Sequence, residues 1–111
     1  MSRDEVIKYA LTLQNTFEDY PFSDKKYGPS PVVKHKENGK WFLIIMNVNG
    51  KEYLNVKTEP EYSELLRNSY DYVIPAYHMN KQHWNTIIIS ENVDEELVKE
   101  LVEQSYELTR R

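Results

Sequence analysis

The sequence predicts an α+β fold: an antiparallel sheet, a three-stranded meander plus two further strands, with helices packed mainly on one face. Three observations carry this. Asn38-Gly39 and Asn49-Gly50 separate three strand-like runs, and Asn-Gly tolerates the positive φ of a type I′ turn, whose twist matches that of paired strands. Apolar residues recur at helical spacing near both ends of the chain, behind residues that suit an N-cap. The β-branched run Trp84 to Ile89 then reads as the strongest remaining strand. The order that follows is α-β-β-β-α-β-β-α, with no repeat, linker or low-complexity tract.

In chain order, Ser2-Arg3-Asp4-Glu5 is a capping box, and Val6, Ile7, Ala10, Leu11 and Leu13 extend it into a helix over about 3–15. Asp19-Tyr20-Pro21-Phe22 reads as a turn, and Ser23 to Pro31 as a loop punctuated by Gly28, Pro29 and Pro31. Strands follow at Val32 to Glu37, Lys40 to Val48 and Lys51 to Lys57. Apolar residues on both faces of the middle strand mark it as central. Thr58-Glu59-Pro60-Glu61 is a second capping box before a short helix ending near Asn68. Tyr72 to Pro75 is a short strand that proline places at an edge or an end. Asn92 to Glu95 caps a last helix whose stripe is Leu97, Val98, Leu101, Val102, Ser105 and Leu108.

The length of 111 residues is that of one domain, 1–111, able to bury a core without staples. The absence of cysteine excludes disulfides, thiolate metal sites and cysteine nucleophiles. A charged start, and no apolar run near the roughly 18 residues of a membrane span, predict a cytoplasmic protein with no membrane partner. Net charge is −4 but unevenly spread. Residues 25–57 hold seven lysines against Glu37 and Glu52, whereas residues 91–111 are acidic. One part of the fold can meet phosphates while another repels them.

The densest chemistry lies in Tyr77-His78-Met79-Asn80-Lys81-Gln82-His83-Trp84-Asn85, a polar corner leading into a strand. His78 and His83 are five apart around a turn, but carboxylates are missing nearby, so a hydrogen-bonding anchor competes with a metal site and no metal is expected. Asn80 and Asn85 suit the capping of backbone groups, and Trp84 suits the core. No nucleophile–base–orienter set or glycine-rich phosphate loop is present, so no enzyme and no cofactor are expected, although His83 with Lys81 could do acid–base work.

Three stretches are similar to the bacterial MmcQ/YjbR family: Asp19-Tyr20-Pro21-Phe22, Gly39-Lys40-Trp41-Phe42, and above all Tyr77 through Thr86. The order of elements and the length match over essentially the whole chain. The resemblance implies a CyaY/frataxin-like fold, related to that of secretion chaperones, and DNA binding through a double wing of β-hairpins. Gln82 departs from the family, standing where relatives often carry a basic residue, and the loop Lys25 to Ser30 looks longer than usual. On this reading Lys34, Lys36, Lys40, Lys51 and Lys81 contact phosphate, and Tyr77, His78, Asn80 and His83 make polar or stacking contacts. Asp19, Tyr20, Pro21, Phe22 and Trp84 are assigned to structure, with Asp19 a candidate partner for the corner. Solubility and protection of sheet edges compete as the role of the lysines. The alternative function is a protein-interaction module using an apolar sheet face of Trp41, Phe42, Ile44, Met46 and Tyr53.

Overall fold

The computed structural model describes residues 1–22, 30–76 and 79–110. Helix α1 (Arg3–Ala10) is followed by strands β1 (Thr16–Asp19), β2 (Val32–His35), β3 (Trp41–Val48) and β4 (Lys51–Lys57). Helix α2 (Pro60–Ser69), strands β5 (Val73–Pro75) and β6 (Trp84–Ile89) and helix α3 (Glu95–Thr109) complete the order. The strands form one sheet in the order β1-β2-β3-β4-β6-β5, antiparallel throughout.

The α+β class and the meander are as expected, but the first helix is shorter than expected and a sixth strand, β1, follows it. The capping box is present, with Ser2 Oγ accepting from the Glu5 N–H at 3.2 Å and Glu5 Oε1 from the Ser2 N–H at 3.1 Å. The helix ends at Ala10, not near residue 15. Asn15 turns the chain with φ 60°, and the Thr16 hydroxyl donates to the Leu13 carbonyl at 2.9 Å. The chain then pairs from Thr16↔His35 to Asp19↔Val32. Pairing β2 satisfies a row of backbone groups that continued helix would leave as an open edge.

Two other caps shift by one or two residues. The N-cap of α2 is Glu59, without a side-chain bond, because Thr58 is one residue too early. The N-cap of α3 is Asp94, accepting from Glu96 and Leu97 N–H. The Asn49-Gly50 turn has φ 53° and 82°, as a type I′ turn requires. Nothing lies within 4 Å of a Cβ added at Gly50, so only its backbone conformation resists substitution. Gly50→Ala should therefore cost about 1 kcal/mol in urea denaturation. At Asn38-Gly39 only the glycine has positive φ, and the Asn38 amide instead donates to the Thr109 and Arg110 carbonyls at the end of α3.

All three helices lie on one face. Their residues Val6, Ile7, Ala10, Leu66, Leu97, Val98, Leu101, Val102 and Tyr106 form one core with Val33, Phe42, Leu43, Ile45, Leu54, Val56, Val73 and Ile87. The β2–β3 register slips beside Phe42, between the pairs Val33↔Leu43 and Lys34↔Trp41. There the Ser105 hydroxyl of α3 donates to the Phe42 carbonyl at 2.6 Å and accepts from the Lys57 N–H at 2.8 Å. A helix side chain thus closes the gap between β3 and β4, since buried backbone groups need partners. Phe42 consequently packs edge-on to Tyr106, ring centroids 5.4 Å apart, rather than joining the face of Trp41, Ile44, Met46 and Tyr53.

Candidate nucleic-acid interface

The register separates the lysines singled out in the sequence. A meander places successive turns at opposite ends of a sheet. Lys36 and Lys40 flank the β2–β3 turn, while Lys51 opens β4 opposite Val48 at the far end of the eight-residue β3, about 25 Å away. The Lys57↔Trp84 pair sets the start of β6, and with it the corner, at the same end as Lys36 and Lys40. Lys36, Lys40, Lys57 and Lys81 therefore share one end, and Lys51 does not. Tyr77 and His78 lie outside the described residues, as do Lys25 and Lys26.

Lys34 is engaged within the sheet. Its Nζ lies 2.8 Å from Asp19 Oδ2 and 5.1 Å from the centre of the Phe17 ring. Hydrogen bonding from Lys34, then from the Tyr20 N–H, holds the Asp19 carboxyl below its ordinary value. Asp19 thus pairs across β1 and β2 and not with the corner. Phe22 stacks edge-on against Trp41 with centroids 5.4 Å apart.

Alternation along the strands puts Lys34, Lys51 and Lys57 on the helix-free face, with Trp41, Tyr53 and Trp84; Asp19 is the acid among its strand positions. Trp84 is half-buried on this face, outside the core expected for it. The acidic residues of α3 belong to the layer behind the sheet. Charge is therefore segregated across the sheet more sharply than the net −4 suggests.

The corner itself is held by Arg67 and Ser63, which the sequence reading passed over, and by Asn85 and Thr58 in roles it did not give them. Arg67, in the last turn of α2, donates from Nε to Asn85 Oδ1 at 2.6 Å, and from Nη2 to the Lys81 and Trp84 carbonyls at 2.5 and 3.4 Å. The Asn85 amide donates to Thr58 Oγ1 and Ser63 Oγ, which bond each other at 2.6 Å. Asn85, Thr58 and Ser63 are all buried. Asn85 therefore ties side chains together, instead of the backbone groups expected, while Asn80 Oδ1 does cap the Gln82 N–H at 3.0 Å. The available signal was Asn85 alternating with Ile87 and Ile89, a polar residue at an inward strand position. Nothing in the spacing singled out Arg67, which looks like any basic last-turn residue.

The histidine roles also fall differently. His83 is half-buried, and its backbone carbonyl accepts from the Thr58 N–H at 2.7 Å. Among the described residues the buried histidine is His35, whose Nε2 lies 2.8 Å from Thr109 Oγ1. No group of three metal-ligating side chains occurs among the described residues. Among them, no helix is long and apolar enough to cross a membrane.

A six-stranded antiparallel sheet with three helices behind it, and a pinned polar corner entering an inner strand, defines an α+β protein with one helix-free sheet face. The YjbR family model matches residues 11–108, and the chain belongs to that family. The uncharacterised protein YyaQ of Bacillus subtilis is 34% identical, over 99% of this chain and 99% of that protein. The uncharacterised protein YbdF of Escherichia coli O157:H7 is 34% identical over 74% of this chain and 66% of its own length. A crystal structure of a Pseudomonas syringae protein superposes with TM-score 0.85 at 32% identity, covering 99% of this chain and all of that one. A Deinococcus radiodurans protein does so with TM-score 0.83 at 28% identity, covering 97% and 78%.

Proposed function

We propose that this protein binds DNA through the sheet end where the β2–β3 turn meets the corner. The observation that carries the reading is the common end of Lys36, Lys40, Lys57 and Lys81, set by the register of β3, β4 and β6. Adjacent strands are about 5 Å apart, so β2 to β6 spans about 15 Å. That suits cations meeting successive phosphates. Asn80 and His83 stand beside Lys81 as polar groups, and half-buried Trp41 and Trp84 offer aromatic edges. Lys34 has a carboxylate partner already and Lys51 sits at the other end, so both are secondary contacts at most.

The test is binding to labelled mixed-sequence duplex between about 50 and 200 mM salt, with wild type, Lys36/Lys40/Lys81→Gln, and Lys51→Gln. The expected result is that the triple variant lowers the salt slope by about 3, and Lys51→Gln by less than 1. No binding at low salt would overturn the reading. A protein-interaction surface is favoured instead by Phe22, 42% exposed, stacked on half-buried Trp41, with Met46 and Tyr53 also half-buried on that face but Ile44, expected there too, buried. That reading predicts no salt-dependent DNA binding and retained structure on Phe22→Ser.

A further inference from the structure

We infer that the cleft between α2 and the corner is a phosphate site, with the Arg67 guanidinium and the Lys81 ammonium as its cations. It rests on the DNA reading for the source of the ligand, a backbone phosphodiester, but not for the chemistry of the site. The cleft is open, about 520 Å³, and lined by Pro60, Ser63, Glu64, Arg67, Lys81 and Gln82.

Arg67 is half-buried, and its acceptors among the described residues are neutral: the Asn85 amide oxygen and two backbone carbonyls. Those bonds use the Nε–H and the Nη2 edge, so the Nη1 group has no acceptor among the described residues. They fix the plane of the guanidinium without neutralising it, which leaves an oriented donor with a full charge. Lys81 is exposed, and its own carbonyl is an acceptor for Arg67, so the two cations are tied to one another through the backbone. Among the described residues neither forms an ion pair. Three other cations near the sheet do have carboxylate partners: Lys34 has Asp19, Arg3 has Glu52 and Arg110 has Glu107.

Glu64 stands on the same cleft one helical turn before Arg67 and pairs with neither cation. A carboxylate there repels an incoming anion. This makes the site testable in both directions, because removal of Glu64 should tighten what removal of Lys81 loosens. A purely structural role for Arg67 in holding the corner predicts no gain from Glu64→Gln.

The experiment titrates the protein with inorganic phosphate, and separately with a short duplex, while following the Arg67 Nε–Hε resonance by NMR. The expected result is a saturable shift with both probes. Lys81→Gln should weaken phosphate binding about tenfold and Glu64→Gln strengthen it about threefold. The backbone spectra of both variants report that the fold is kept. A phosphate response in this variant order without duplex binding upholds the site and removes the DNA reading. Duplex binding with the Arg67 resonance unmoved, and equal in both variants, overturns the site and leaves the DNA reading standing. Silence with both probes overturns both.

Discussion

Asn85→Ala is expected to lower stability by about 3 kcal/mol and to loosen the corner before the rest of the sheet. The side chain is fully buried and serves three partners at once. Its loss leaves a guanidinium N–H without its acceptor and two hydroxyls without their donor, in a place too closed for water to replace them freely. Hydrogen bonds to charged groups contribute about 1.5–3 kcal/mol, and an orphaned buried group costs a similar amount. The loss should be read twice, as a lower urea midpoint and as faster amide exchange at Gln82 to Trp84. Those amides belong to the turn that Asn80 and Arg67 fix. Asn85→Asp is the informative companion. It keeps an acceptor for Arg67, and the Thr58 and Ser63 hydroxyls can each rotate to donate to the carboxylate. Its cost should therefore fall below that of Asn85→Ala. It would also put a negative charge against Arg67 and so weaken phosphate binding at the neighbouring cleft. Equal losses in the two variants would mean that the volume of Asn85, not its polar network, supports the corner.

That network shows where a sequence is legible and where it is not. The Asn49-Gly50 turn, the α3 stripe and the first capping box are local: backbone preference or period decides them, and the structure agrees except at the end of the stripe, where Tyr106 and Thr109 are buried in place of Leu108. Strand β1 is not local. Leu11 and Leu13 continue a helical pattern, yet β2 needs a partner on its outer side, and the pairing of Thr16 to Asp19 overrides the period. The slip at Phe42 is equally hidden, because it depends on a serine more than sixty residues away. In the candidate interface the polar corner was visible as composition. Its anchor was not, since Arg67, Thr58 and Asn85 meet only after β4, α2 and β6 have packed. The separation of Lys51 from Lys36 and Lys40 follows from the meander alone and could have been drawn from the two Asn-Gly turns.

His35 should make this protein lose stability as pH falls through the histidine range. Its ring is buried between Phe42 and Tyr106, with centroids 5.0 and 4.8 Å away. The Thr109 hydroxyl donates to the Ser105 carbonyl at 2.7 Å, so it is free to accept from His35 Nε2 at 2.8 Å, which assigns the neutral Nε2–H tautomer. Burial, then the nearby positive charge of Arg110, hold the pKa below its ordinary value; the Tyr106 carbonyl, Glu107 and Glu37 oppose this without reversing it. The unfolded chain consequently binds more protons than the folded one in this range, and stability rises with pH. The contribution is complete above the ordinary value of about 6.5 and is lost progressively below it. Urea midpoints at steps from pH 5 to 7.5 should fall on the acid side for the wild type and run flatter for His35→Gln, which keeps a donor for Thr109. His35→Ala should cost about 3 kcal/mol at pH 7.5, where charge plays no part, because it empties the space between two aromatic rings. Since His35, Asn38 and Thr109 together seat the end of α3 on the β2–β3 turn, amide exchange at Tyr106 to Arg110 should respond to pH with the same midpoint. Parallel pH profiles for wild type and His35→Gln would assign the acid sensitivity to the carboxylates instead.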